Sequence, residues 1–325
     1  MTFPTYTLAI PVAYGAYRIA TYNTKSVLAG MARFLTCFYT AILLGSLILS
    51  DRAGVLATLN LVGVGFPLPE KDYGDVCQVY NPEHPSGNAF YNVIDRLDIF
   101  VIAHSLGWFV KALILRDLQV AWICSILFEI VEICFANLLP NFNECWWDSI
   151  ILDVFGCNLV GIHGADLVLS AFGIQKFDFM KKSLKKSMNY LFCSILMVLL
   201  ITLIDLNFFF LKFVLFIPTT HWLAYVRTIT WVLISAPSAA ELSAWAKSSS
   251  VTSPRSRKNG KLRNKPSFLN ACPSCVVGIV GLFSEIAFYT ILRGDLFATA
   301  APTPITTQLF TASLIYATIY AYVKM

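Results

Sequence analysis

The sequence predicts an all-α fold, a polytopic integral membrane bundle of about eight to ten transmembrane helices. Three observations carry that prediction. Only 13% of the 325 residues are charged and 57% are hydrophobic, with a mean hydropathy of +0.66, whereas soluble domains are near a quarter charged. Apolar runs of about 20 residues, the length that crosses a hydrocarbon core of about 30 Å as a helix, recur along the chain. The bases gather between those runs, as topology requires and nucleic-acid binding does not.

The first 33 residues are mixed and aromatic, show no cleaved signal pattern, and are expected to form a cytoplasmic N-terminal segment. Candidate spans follow at Phe34–Ser50, Ile99–Leu115, Leu118–Leu139, Ile150–Ile174, Leu191–Phe216, Trp222–Ala246, Phe268–Leu292 and Ile305–Val323. Ala53–Phe66 is apolar but short and holds Gly54, Gly63 and Gly65, which favours an interfacial or re-entrant piece. Residues 34–246 thus read as the main membrane bundle, 247–266 as a basic flexible loop, and 267–325 as C-terminal transmembrane helices. The nine cysteines are scattered through mostly apolar segments, so no disulfide framework is expected, and Cys272 and Cys275 read as packing residues.

Short cytoplasmic loops retain Lys and Arg. Lys247 to Pro266 carries seven bases and no acid, and Lys181, Lys182, Lys185 and Lys186 form a second basic tract two spans earlier. Both therefore face the cytoplasm, and counting back places the loop after Leu139 on the opposite, lumenal face. Although the whole chain is +5, residues 95–170 hold nine acids against three bases.

Those acids are the chemical signal. Glu129 and Glu132 lie mid-span, three residues apart, and project from nearly one helix face. One ionised carboxylate at a helix centre costs about 2.5 to 3.5 kcal/mol even on the lenient scale, so a proton or a cation is required. Asn141, Glu144, Asp148, Asp153 and Asn158 follow at the start of the next span. With Asn143 as a cap and regular α-helical spacing, Glu144, Asp148 and Asn158 share a stripe and Asp153 points away from it. An antiparallel helix pair can gather Glu129, Glu132, Glu144 and Asp148, an all-oxygen set suited to a hard divalent cation such as calcium. His104, inside the preceding span, is the histidine placed to move a proton beside them.

The segments AHSLGWFVKALILR, FEIVEICFANLLPNFNECWWDSIILDVFGCN and LNFFFLKFVLFIP resemble the eukaryotic phosphatidylserine synthases of the base-exchange type. The resemblance covers about Asp72 to Lys247 and, more loosely, GLFSEIAF around Glu285. It implies an endoplasmic reticulum enzyme that exchanges the choline or ethanolamine of a phospholipid for serine with calcium and without an activated nucleotide lipid. Its partners would be L-serine, phosphatidylcholine or phosphatidylethanolamine and the membrane lipid, with no nucleic acid and with a homodimer left open. The family's essential polar positions fall on His104, Glu129, Glu132, Asn141, Glu144, Asp148, Asp153 and Asn158. Of these, His104, Asn141, Asp153 and Asn158 are assigned to the chemistry, and Glu129, Glu132, Glu144 and Asp148 to the metal. The family's glycine-rich continuation after Asn158 is here LVGIH.

Two rival readings are a CDP-alcohol phosphatidyltransferase, for which no D-G-x-x-A-R segment with spaced aspartates is found, and a cation channel or transporter with acids along its pathway.

Overall fold

The computed structural model describes residues 26–68, 73–136, 139–177, 179, 188–250 and 267–292. Among them regular structure is helical, and the strand-like pairing present is an isolated bridge between Tyr73 and Glu144. In chain order the helices are α1 (Val27–Leu49), α2 (Arg52–Asn60), α3 (Tyr91–Arg96), α4 (Ile99–Leu115) and α5 (Leu118–Phe135). A 3₁₀ turn (Pro140–Phe142) and a π-helix (Asp148–Asn158) lead directly into α6 (Leu159–Ala171). Then come α7 (Met188–Leu215), α8 (Trp222–Ser250), α9 (Phe268–Ala271) and α10 (Pro273–Leu292). The expected span Ile305–Val323 and most of both basic tracts lie outside the described residues.

Five of these helices are long and apolar enough to cross a membrane: Val27–Leu49, Leu118–Phe135, Asp148–Ala171, Asn189–Leu215 and Pro273–Leu292. Helix α4 is apolar but has only 17 residues, and α8 carries Arg227, Glu241 and Lys247 along its length. Helix α1 begins at Val27, capped by Ser26, within the segment expected to precede the bundle. The short apolar stretch after it folds as α2, capped by Asp51 Oδ1 on the Gly54 N–H at 2.9 Å, and turns back through Gly63 and Gly65 at positive φ.

The chain divides into two compact units. One contains α1, α2 and α7–α10. There α1 packs on α10 and α8 around Ala32, Trp231, Ile234 and Leu282. Glu241 of α8 takes the Ser274 N–H at 2.8 Å and its hydroxyl at 2.7 Å, so this acid caps the start of α10.

The other unit contains α3–α6. Helix α4 packs along α6 and the π-helix. Gly161 permits the approach, since a Cβ there would stand 2.3 Å from the Ser105 carbonyl oxygen and 3.0 Å from Trp108 Cβ; small residues serve helix contacts in membranes in this way. Between α4 and α5 the chain reverses at Arg116, with φ 48°. Asp117 then caps α5, accepting from the Gln119 and Val120 N–H groups at 3.0 and 3.1 Å.

Two expectations are corrected. Cys77 and Cys145 form a disulfide across 68 residues, which spacing along the chain could not reveal; the other cysteines described, Cys272 and Cys275 among them, are not in disulfides. Asn143 does not cap the following helix. That helix begins at Asp148 without a side-chain cap, and its first amides bond the Cys145 carbonyl.

Candidate active site

The π-helix explains why a regular α-helical pattern left Asp153 out. At about 100° per residue, positions five apart diverge by roughly 140°. The i→i+5 bonding of a π-helix widens the turn and brings such positions nearly into line. Asp148, Asp153 and Asn158 are spaced by five throughout this segment, so all three share one face. π-Helical segments are rare and concentrate at functional sites.

That face meets α5. The Asn158 amide, wholly buried, donates to Ser125 Oγ at 2.8 Å and to Glu129 Oε1 at 3.1 Å. Asn158 also lies beside His104, and its Oδ1 closes no hydrogen bond. Glu129 and Glu132 are both buried and lie within hydrogen-bonding reach of each other, which requires that one carry a proton or that both face a cation. Glu132 also lies within electrostatic reach of Glu144 and Asp153, and Asp153 of Glu144, Glu129 and Asp148. Glu144, ahead of the π-helix, accepts from Ser149 Oγ at 3.2 Å. Burial first, then the neighbouring Asp148, pushes its carboxyl up to about 8. Asn141 lies in the 3₁₀ turn joining the two helices.

His104 is held from its own helix. The Trp108 indole N–H, one turn on, donates to His104 Nε2 at 3.1 Å, so the proton of the neutral imidazole resides on Nδ1. Lys111 Nζ lies 3.5 Å above the Trp108 ring and acts electrostatically on Glu129. His104, Trp108 and Lys111 thus form one face of α4 at i, i+4 and i+7.

All five acids, His104 and Asn158 therefore belong to one neighbourhood. Three of its buried oxygens, Glu129 Oε2, Glu132 Oε2 and Asn158 Oδ1, have no hydrogen-bond partner. Such orphans call for a ligand or proton, and an all-oxygen donor set fits a hard cation by its chemistry. Among the described residues no three His, Cys, Asp or Glu side chains stand close enough together to hold a metal as they are. Asp117 and Asp166 stand apart from this group: Asp117 is a cap, and Asp166 pairs with Lys176 at 2.5 Å.

Trp108 and Ser125 were not singled out from the sequence: Trp108 lies one helical turn from the imidazole it donates to, a spacing that could have found it, whereas Ser125 accepts from Asn158, 33 residues away. Tyr73 and the Cys77–Cys145 bond carried no local signal.

The family model for phosphatidyl serine synthase matches residues 30–190 and 182–258. The chain belongs to that family. All eight site positions lie within the first matched stretch. A rice CDP-diacylglycerol–serine O-phosphatidyltransferase 2 is 36% identical over 214 residues, 57% of this chain and 50% of that protein. Human phosphatidylserine synthase 2 is 35% identical over 198 residues, 52% of this chain and 40% of that protein. Phosphatidylserine synthase of Drosophila melanogaster is 31% identical over 197 residues, 52% and 38% of the respective chains. The chain spans about half the length, or less, of the curated relatives it matches. The plant relative's name specifies a CDP-diacylglycerol donor, whereas the animal relatives' names specify no donor.

Proposed function

We propose that this chain makes phosphatidylserine by calcium-dependent base exchange, serine displacing choline or ethanolamine at the phosphodiester of an existing phospholipid. The observation that carries the reading is the cluster of buried acids with orphaned oxygens beside His104 and Asn158. Glu129, Glu132, Glu144 and Asp148 would hold the cation, which when bound supplies positive charge against the phosphodiester.

His104 is the general base. To take the serine hydroxyl proton it must offer Nε2, so the Trp108 N–H now held there gives way to the hydroxyl. The serine oxygen bonds to phosphorus, the bond from phosphorus to the headgroup oxygen breaks, and the proton passes from the imidazole to the departing alcohol. Asn158 bridges Ser125 and Glu129 and keeps α5 and the π-helix in register for the exchange. Such a reaction depends on positioning and fixed charge more than on covalent chemistry.

The Cys77–Cys145 disulfide lies next to Glu144, and disulfides persist in oxidising compartments. That supports the endoplasmic reticulum membrane, with this end of the α3–α6 unit facing the lumen, where calcium is available. The plant relatives' names favour a second reading, in which CDP-diacylglycerol is the donor.

Purified protein in nanodiscs of phosphatidylcholine decides between them. Labelled serine is expected to enter lipid without any cytidine nucleotide and to stop entering when calcium is chelated; incorporation that needs CDP-diacylglycerol sinks the base-exchange reading. His104→Ala is expected to reduce turnover by about 10²- to 10⁴-fold, and unchanged turnover removes His104 from the chemistry.

A further inference from the structure

We infer that Arg96 is an oxyanion-binding residue at the acidic end of the α3–α6 unit, taking the carboxylate of serine or the phosphodiester of the lipid. The inference rests on the synthase reading and adds to it a residue outside the eight site positions.

Arg96 ends α3 and is 8% exposed, an unusual depth for a guanidinium. Its ion pair is weak: Nη1 stands 3.6 Å from Asp95 Oδ2, beyond hydrogen-bonding distance, and that aspartate is 37% exposed. Its Cζ lies 4.9 Å from the centroid of the Tyr73 ring, a contact that accepts charge but takes up no N–H. Nε has no hydrogen-bond partner. A buried guanidinium with an idle donor presents a fork suited to two oxygens of an anion.

Its surroundings match the rest of the substrate. Arg96 acts electrostatically on Glu144, and Tyr73, which it covers, feels Asp98, Glu144 and Asp148 as well. One cation therefore stands at the edge of a group of carboxylates. A zwitterionic amino acid needs that pairing of signs, its carboxylate on the guanidinium and its ammonium towards the acids. The loop that carries Tyr73 is held there by the Cys77–Cys145 bond and by the Trp147 Nε1–H, which donates to the Cys77 carbonyl at 3.3 Å.

Ethanolamine is serine without the carboxylate, which makes it the discriminating probe. Equilibrium binding of labelled L-serine and of ethanolamine is measured on the full chain in phosphatidylcholine nanodiscs with calcium, and short-chain phosphatidylcholine binding is measured in detergent. Arg96→Gln is expected to weaken one anion by about tenfold to a hundredfold, the range for losing a hydrogen bond to a charged group. Loss of serine with ethanolamine kept identifies the carboxylate. Loss of the short-chain lipid with serine kept identifies the phosphodiester. No loss, or equal loss of serine, ethanolamine and lipid, overturns the assignment, because a mere counter-ion for Glu144 would act on all three alike. Arg96→Lys keeps the buried charge without the fork and is read in the same arms, so a folding failure of the glutamine variant leaves the question answerable. Binding needs no turnover: a chain that fails to exchange headgroups yet binds serine through Arg96 defeats the synthase mechanism and not this inference.

Discussion

Each unit of the molecule buries charge, and the two do so in opposite ways. In the α1/α7–α10 unit Glu285, wholly buried, receives Arg227 Nε and Nη2 at 2.8 Å each, Asn207 Nδ2 at 3.0 Å, Tyr289 Oη at 3.4 Å and the Tyr39 hydroxyl. Arg227 also donates to the Ile204 carbonyl at 3.0 Å, so α1, α7, α8 and α10 all meet at one ion pair. No carboxylate oxygen there lacks a partner. In the α3–α6 unit five acids face one another, and two of their buried oxygens have none. A low-dielectric interior tolerates the first arrangement because every charge is compensated. It tolerates the second only if something from outside completes it, which is why the first reads as structure and the second as a site.

The sharpest way to break the contrast is to unpair one member of each group. Arg227→Leu leaves Glu285 buried and uncompensated and is expected to cost about 3–5 kcal/mol, seen as a lower unfolding midpoint in detergent. Arg227→Leu with Glu285→Leu is expected to recover most of it, since apolar replacement of a whole buried pair is often neutral or better. Glu132→Gln should do the reverse, removing like-charge repulsion at no cost in stability while turnover falls. A large drop in the midpoint for Glu132→Gln would place both clusters in the same structural class.

A smaller effect concerns what holds the acidic end in place. Cys77→Ser, Cys145→Ser or reduction of the intact chain is expected to lower stability by about 2–4 kcal/mol, the usual range for losing a disulfide. Turnover should decline with it, because the bond ties the Tyr73 loop to the segment carrying Glu144. A reductant without effect on either measure would show that the loop is held without the bond.

The same contrast shows what a sequence can and cannot reveal. Helix positions follow from apolar length, and Glu129 and Glu132 are conspicuous because they share a helix face three residues apart. Asp153 was legible as a residue but not as a position, since its alignment with Asp148 and Asn158 depends on a wider helical turn that local composition does not announce. Partners distant in the chain were not legible at all. Cys77 and Cys145 are 68 residues apart, and Arg227 and Glu285 58 apart on different helices, so nothing in the local pattern marks either pair as joined.

The smallest test asks how finely the site depends on its packing. A Cβ at Gly161 would stand 2.3 Å from the Ser105 carbonyl oxygen and 2.9 Å from the Phe109 nitrogen, both backbone atoms of α4 that cannot step aside. Gly161→Ala is therefore expected to cost about 1–3 kcal/mol through overpacking and to push α4, with His104 and Trp108, away from Asn158. Gly164→Ala, three residues on in α6, meets only the Phe109 ring at 3.5 Å. It should be neutral or gain about 0.5–1 kcal/mol from its higher helix propensity. If both substitutions leave turnover unchanged, the spacing between α4 and α6 does not set the His104–Asn158 approach. If only Gly161→Ala lowers it, with the unfolding midpoint shifted modestly, the position of His104 is set by backbone contact one turn beyond the π-helix.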